Sequence, residues 1–173
     1  MFGIHCAFTD SILRGLESVH RSPVAVVYPG PPGSVGLQPL HRPQRSLPMA
    51  SDFNLIEKNQ STVPTFTIGR LNHQATIEGL IALAPDILVV ACFPHRIPEP
   101  IRAVASTAAL NIHPSLLPRH RGPDPLFWTL RAGNGVAGVT IHQLTHEFDA
   151  GPIAAQSAIS YPDGMSERHL EAA

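Results

Sequence analysis

Short apolar runs that alternate with helix-like segments are the feature of this sequence that most constrains its fold. Each run is bounded by turn-forming or acidic residues, and its length is typical of a buried strand rather than a helix. The runs are 2-FGIHCAF-8, 24-VAVVY-28, 63-VPTFTI-68, 86-DILVVACF-93 and 107-TAALNIH-113. Because these runs are apolar almost throughout, both faces of the strands must be covered, which is typical of a parallel sheet between helices.

The segments between the runs have the period of amphipathic helices. Residues 10–20 place their apolar side chains on one helical face, and Asp10 or Ser11 is the predicted N-cap. Residues 72–84 repeat the pattern, with Asn72 as the predicted cap. We therefore expect these segments to cover the sheet.

The C-terminal part of the chain has a different pattern. Residues 136–144 and 152–160 indicate longer strands with partial alternation, which favours an added antiparallel edge. The expected fold class is therefore α/β, with a Rossmann-like, mostly parallel sheet, helices on both faces and an antiparallel C-terminal edge.

A chain of 173 residues is long enough for one domain with a single core, so we expect residues 1–173 to form a single domain. A last helical pattern begins with Ser166 as its cap and ends at residue 173, so we expect the domain to be truncated at its C-terminus. Residues 29–50 are rich in Pro, Gly, Arg and Gln and lack periodicity. They are expected to form a long flexible loop that either faces a substrate or is a mobile excursion.

Charge and cysteine content exclude several classes of protein. A net charge of −1 gives no reason to expect nonspecific binding to nucleic acid or to anionic membranes. Cys6 and Cys92 both lie in apolar runs and are predicted to be free buried thiols, which fits a reducing compartment. No apolar span of membrane length is present, so the sequence predicts a soluble, cytoplasmic protein.

Asn111 and His113 end the fifth predicted strand. Sites in parallel α/β sheets form at the carboxyl ends of the strands, and residues two apart on a strand point to the same face. An Asn amide can donate to a developing oxyanion, and an adjacent His can donate to the same centre or move a proton. Taken alone, however, the pair fits a structural strand cap as well as a catalytic site.

Two longer stretches provide context for this pair. The sequence 111-NIHPSLLPRHRGPDP-125, followed by 138-GVTIHQLTHEFDAGPI-153, resembles the formyltransferase family that uses N10-formyltetrahydrofolate. That family includes enzymes that act on methionyl-tRNA, on glycinamide ribonucleotide and on amino sugars. The resemblance implies the formyltransferase fold, N10-formyltetrahydrofolate as co-substrate, no metal, and transfer of a formyl group to a primary amine.

The resemblance also implies a catalytic trio of Asn111, His113 and Asp149. Asn111 would stabilise the oxyanion of a tetrahedral intermediate, His113 would assist and transfer a proton, and Asp149 would orient His113 and an ordered water. A carboxylate beside an imidazole favours the imidazolium, so His113 is expected to act as an acid near neutral pH. The alternative for Asp149 is a simple turn residue before Gly151.

The family's folate pocket corresponds to two segments of this chain, 93–98 and 144–148. The first departs from the family pattern because it is richer in proline and has His95 next to Arg96. The residues implied to line the cavity are Phe93, Pro94, His95, Ile97, Glu147 and Phe148.

Several other polar and aromatic residues have predicted roles. Ser115 is expected to support the loop that follows His113. Arg119 and Arg121 either bind a substrate carboxylate or phosphate or are solvated. Phe127 and Trp128 are expected to pack the next helix into the core.

His142 and His146 are four residues apart but follow a strand-to-loop pattern, and no H-E-x-x-H motif is present. We therefore expect no metal site there. A general Rossmann nucleotide-binding module is also disfavoured, because the sequence has no G-x-G-x-x-G.

The sequence favours a small or unidentified amine as the acceptor, with methionyl-tRNA close behind. Asp10, after the first strand, would repel a phosphate at a helix N-terminus. The 29–50 loop has few basic residues (His41, Arg42 and Arg45), and the net charge disfavours tRNA, although a long loop after the second strand resembles the tRNA and amino-sugar branches. Hydrolysis of the formyl folate and a non-catalytic folate-binding relative remain alternatives.

Overall fold

The computed structural model describes residues 1–40 and 63–171. The helices are α1 (Ala7–Ser18), α2 (Gln74–Ala82), α3 (Glu99–Arg102), α4 (Pro125–Ala132) and α5 (Glu167–Glu171). The strands are β1 (Val26–Pro29), β2 (Gln38–Pro39), β3 (Thr65–Ile68), β4 (Ile87–Ala91), β5 (Ala108–His113), β6 (Val136–Gln143) and β7 (Ile153–Ser160).

The strands form two groups, β2–β3–β1 and β4–β5–β6–β7, which the N-terminal residues join. Phe2 makes parallel bridges to Val27 of β1 and to Val90 of β4. The pairs β1–β3 and β4–β5 are parallel, whereas β5–β6 and β6–β7 are antiparallel. The predicted α/β fold with an antiparallel C-terminal edge is confirmed, and the sheet of the described residues is mixed, because β2 also pairs antiparallel with β3.

Helices cover both faces of this sheet. On one face, Leu80 of α2 and Ile101 of α3 pack against strand residues such as Leu88. On the other, Leu130 of α4 and Leu170 of α5 pack around Ala137 of β6. Side chains alternate along β6 and the strands paired with it, so Leu88 and Ala137 point to opposite faces and the two clusters lie on opposite sides.

The first apolar run forms less strand than expected. Only Phe2 pairs with the sheet, and α1 begins at Ala7 because the extended Cys6 caps it. The Cys6 sulfur accepts from the backbone N–H of Thr9, so the predicted caps at Asp10 and Ser11 lie inside the helix.

The caps and faces of two later helices also differ from expectation. His73, not Asn72, caps α2, and its Nδ1 accepts from the N–H of Ala75. Phe127 and Trp128 are 45% and 47% exposed and contact each other, so the expected core packing is wrong. Leu126 and Leu130 occupy the buried face of α4 instead.

Part of the expected 29–50 loop is described. Residues 30–40 contain turns and the short strand β2, which pairs antiparallel with β3. The remainder, including His41, Arg42 and Arg45, lies outside the described residues. Within residues 1–40 and 63–171, none of the helices combines the length and the apolar character that a membrane span requires.

Gly138 explains why the first residue of the G-V-T-I-H stretch is small. A Cβ at this position would overlap the carbonyl oxygen of Ser157 on β7 and the side chain of Leu116. The missing side chain therefore lets the loop after β5 pack directly on β6.

We expect Gly138→Ala to destabilise the protein by about 1–3 kcal/mol, because the new methyl group overpacks this contact. Gly15→Ala is the matched control. It lies in the exposed interior of α1, where a Cβ meets nothing within 4 Å, and should stabilise the protein by about 0.5–1 kcal/mol. Chemical denaturation of both variants measures the difference, and equal stability of Gly138→Ala and wild type would contradict the packing role.

Candidate active site

The end of β5 and its antiparallel neighbour β6 place four polar side chains on one face of the sheet. Asn111 pairs with His142 and His113 pairs with Thr140. Since residues two apart on a strand share a face, all four side chains point to the side that α2 and α3 cover. The strand register thus builds one half of the site.

Asp149 completes the cluster from the loop after β6. Its Oδ1 accepts from Asn111 Nδ2 at 3.2 Å, and its Oδ2 lies 3.6 Å from His113 Nδ1. The backbone N–H of Gly122 also donates to Oδ2, at 2.8 Å. The structure therefore brings the three residues of the expected trio together, while their catalytic roles stay a prediction.

The backbone of Asp149 is in the left-handed region, with φ of 48°. This conformation costs an L residue roughly 1–2 kcal/mol, although Asp tolerates it better than most. The donors that surround the carboxylate offset that cost and hold the side chain in the cluster.

His142 is a member of the cluster that sequence reasoning missed. Its ring is 1% exposed, and its Nε2 lies 3.1 Å from Asn111 Nδ2 and 3.3 Å from Asp149 Oδ1. His146, which lies four residues further along the chain, is exposed and close to Glu147. The β5–β6 register was the signal that could have found His142, because it places that residue directly opposite Asn111.

The hydrogen-bond partners of His142 define its proton positions. Nδ1 lies 3.1 Å from the carbonyl oxygen of Gln143, which can only accept, so Nδ1 carries a hydrogen. In the neutral ring, Nε2 accepts from the Asn111 amide. In the protonated ring, Nε2 donates to Asp149 instead.

His113 is buried and predominantly neutral. Burial lowers its pKa below the ordinary 6.5 and outweighs the carbonyl of His120 and the carboxylate of Asp149, which raise it. This direction is opposite to the one that the pairing with Asp149 alone predicts. Nε2 lies 2.8 Å from the His120 carbonyl and therefore carries the hydrogen of the neutral ring, which leaves the lone pair of Nδ1 on the side of Asp149.

Asp149 is the anion of the site. Although burial alone would raise its pKa, the contact with the His142 ring and the hydrogen bond from the Gly122 N–H hold the pKa below the ordinary 3.8. At neutral pH the cluster is therefore a carboxylate surrounded by N–H donors and a neutral imidazole.

The loop after His113 is fixed to β6 by Thr140. Thr140 Oγ1 donates to the carbonyl of Ser115 and accepts from the N–H of Leu117. The buried Ser115 hydroxyl donates to the Arg119 carbonyl within the same loop. The side chains of Arg119 and Arg121 are exposed on the outer surface of this loop.

The two segments expected to hold the folate follow β4 and β6. Phe93 is half-buried, Pro94 and His95 are exposed, and Phe148 is 64% exposed beside the exposed Glu147. Ile97 differs from expectation, because it is 3% exposed and belongs to the core. Its side chain supports the first segment and does not line an open cavity.

Within the described part of the chain, no group of three or more His, Cys, Asp or Glu side chains is arranged to hold a metal ion.

Comparison with known proteins gives consistent results. A family model described as formyl transferase matches residues 5–173. The chain is 34% identical over 100 residues to methionyl-tRNA formyltransferase of Limosilactobacillus fermentum, and 39% identical over 98 residues to that of Thermotoga sp. strain RQ2. These alignments cover 58% and 57% of this chain but 32% and 31% of the relatives, so the chain spans about a third of their length.

Solved structures share the fold at lower identity. Phosphoribosylglycinamide formyltransferase of Anaplasma phagocytophilum superposes with a TM-score of 0.70 at 23% identity, over 98% of this chain and 75% of that one. Glycinamide ribonucleotide transformylase 1 of Symbiobacterium toebii gives 0.67 at 23% identity, over 98% and 77%. A sugar N-formyltransferase of Shewanella sp. FDAARGOS_354 gives 0.64 at 16% identity, over 98% and 60%.

The lowered pKa of His113 predicts a pH-dependent contribution to stability. Below the ordinary pKa of 6.5 the unfolded chain binds a proton that the buried native ring resists, so stability falls as the pH decreases. The free energy of unfolding should therefore decrease with falling pH. We expect His113→Gln to reduce this dependence by up to about 1.4 kcal/mol per pH unit between about pH 7 and pH 5. Denaturant unfolding across that range measures it.

His146→Gln provides the control, because the exposed ring of His146 is solvated in the native and unfolded chains alike. Its slope should match that of wild type. An unchanged slope in His113→Gln would show that burial does not keep His113 neutral.

Proposed function

The chain belongs to the formyl transferase family, and from that premise we propose that it transfers a formyl group from N10-formyltetrahydrofolate to a primary amine. We further propose that residues 1–173 form the catalytic domain and that it acts in the cytoplasm. The observation that carries the activity is the convergence of Asn111, His113 and Asp149 in one hydrogen-bonded cluster.

Asn111 is proposed to stabilise the developing negative charge. The bound donor supplies an electrophilic formyl carbon, and attack by an amine moves charge onto the formyl oxygen. The Asn111 amide has two hydrogens, which face Asp149 and His142 at 3.2 and 3.1 Å. Those two partners orient the amide before any ligand arrives, and an oxyanion would accept one of the two hydrogens in place of its present partner.

His113 and Asp149 are proposed to handle the proton. A neutral His113 has its Nδ1 lone pair free to accept the proton that the attacking amine releases. The imidazolium is then stabilised by Asp149 on one side and by the His120 carbonyl on the other. The same proton is available to the departing nitrogen, so the site begins and ends the reaction in one protonation state.

The folate donor is proposed to bind between segments 93–98 and 144–148. Both follow strands whose ends lie beside the cluster, and Phe148 offers an exposed aromatic surface to a pterin ring. Pro94, His95 and Glu147 of the same two segments are exposed as well. These features fit the donor, since flat heterocycles bind to apolar surfaces edged by a few polar groups.

A small amine, such as an amino sugar, is the proposed acceptor. The net charge of −1 and Asp10 in the first turn of α1 disfavour a polyanionic or phosphorylated partner. Methionyl-tRNA is the second candidate, because two relatives that share 34% and 39% identity with this chain are methionyl-tRNA formyltransferases.

Incubation with N10-formyltetrahydrofolate and a panel of amines, with release of tetrahydrofolate as the readout, tests the activity. The panel includes amino sugars, amino acids and methionyl-tRNA. Release without any amine would identify the hydrolase, and donor binding without turnover would identify a non-catalytic folate-binding relative. If the protein neither binds N10-formyltetrahydrofolate nor releases tetrahydrofolate from it, the proposed function is wrong.

We expect Asn111→Ala to lower kcat about 10²–10³-fold, because it removes the donor to the oxyanion. Asn72→Ala, which removes an exposed amide before α2, is the matched control and should retain full activity. Steady-state kinetics with the best acceptor measure both. Retention of wild-type kcat by Asn111→Ala would rule out the proposed role of the amide.

A further inference from the structure

Arg102, at the end of α3, joins the two segments between which the donor is proposed to bind. Its Nη1 donates to the carbonyl of Ile97 at 3.0 Å and to the carbonyl of Thr145 at 3.1 Å. Ile97 belongs to segment 93–98 and Thr145 to segment 144–148, so one guanidinium nitrogen holds two backbone positions that are 48 residues apart in the chain. We call these two segments the donor walls.

A second contact joins the donor walls at their outer ends. The guanidinium carbon of Arg96 lies 5.5 Å from the centroid of the Phe148 ring, in a cation–π arrangement. Both side chains are exposed, so this contact is worth less than the half-buried bonds of Arg102. It nevertheless shows that the same two segments meet at a second point.

Each donor wall is otherwise fixed to the sheet separately. Phe93 packs edge-on against Phe2 with 5.2 Å between ring centroids, and Ile97 is in the core. On the other wall, the N–H of Leu144 donates to the carbonyl of Ala109 on β5. These anchors hold the base of each wall, whereas Arg102 bridges from one wall to the other.

We propose that Arg102 is a positioning residue that sets the spacing of the donor walls and thereby the affinity for the folate donor. The proposal rests on the proposed function, because it assumes that the donor binds there. Among the described residues, no hydrogen bond or ion pair joins Arg102 to Asn111, His113 or Asp149. It should therefore affect donor binding more than the chemical step.

The chemistry of this contact favours arginine. The planar guanidinium directs its hydrogens in fixed directions, so one nitrogen can serve two carbonyls on opposite sides. A lysine ammonium has three donors on a flexible stem and can replace the charge but not the fixed geometry. A methionine keeps most of the apolar volume and removes both hydrogen bonds.

Three variants of the full chain test the proposal: Arg102→Met, Arg102→Lys and, as a matched control, Arg131→Met on the exposed surface of α4. We expect Arg102→Met to raise the KM for N10-formyltetrahydrofolate about tenfold or more, with kcat within about twofold of wild type. Arg102→Lys should give an intermediate KM, and Arg131→Met should leave both constants unchanged.

Hydrogen–deuterium exchange of the ligand-free proteins gives a second readout that does not depend on activity. Arg102→Met should accelerate exchange in both 93–98 and 144–148, because each segment loses its link to the other. A purely local role at the end of α3 would accelerate exchange only near that helix.

The outcomes separate this proposal from the proposed function. An unchanged KM in Arg102→Met, an equal loss of kcat and affinity, or faster exchange in only one donor wall would overturn the role of Arg102. Failure of the wild-type protein to bind N10-formyltetrahydrofolate would overturn the proposed function and, with it, the effect on donor affinity.

Discussion

The carboxylate of Asp149 is the group on which the candidate active site depends. It is a largely buried anion, and it is held by the Asn111 amide, the backbone N–H of Gly122 and the ring of His142, with His113 nearby. A charge in such a position is stable only where donors surround it. These groups come from β5 with the loop that follows it and from β6, so the anion links parts of the chain that α4 separates in sequence.

The same arrangement favours different charge states for two neighbouring groups, the carboxylate of Asp149 and the imidazole of His113. Hydrogen bonds hold Asp149 ionised, whereas burial keeps His113 neutral despite the adjacent carboxylate. A neutral imidazole beside a fixed anion can accept a proton and is stabilised once it has done so. The identity of the residues alone does not reveal which of these two groups carries a charge. The degree to which each group is buried decides its protonation state.

Specific hydrogen bonds and close packing fix the loops around the candidate active site. Thr140 fixes the loop after β5 through Ser115 and Leu117, and the absence of a side chain at Gly138 lets that loop lie against β6. Arg102 connects the segments that follow β4 and β6, the second of which leads directly to Asp149. The proposed donor segments and the Asp149 cluster therefore share a continuous framework, although different residues make the contacts of each.

The sequence by itself determined the α/β architecture and the antiparallel edge, because short apolar runs and strand alternation are properties of neighbouring residues. It also placed Asn111 and His113 at the end of a strand, whereas Asp149 entered only through the resemblance to the formyltransferase family. Only the tertiary structure decided that His142 joins the site, that Ile97 belongs to the core, and that Phe127 and Trp128 are exposed. It also decided the protonation state of His113. These features depend on the register between β5 and β6 and on burial, which arise from contacts between residues about thirty positions apart and leave no local periodic signal.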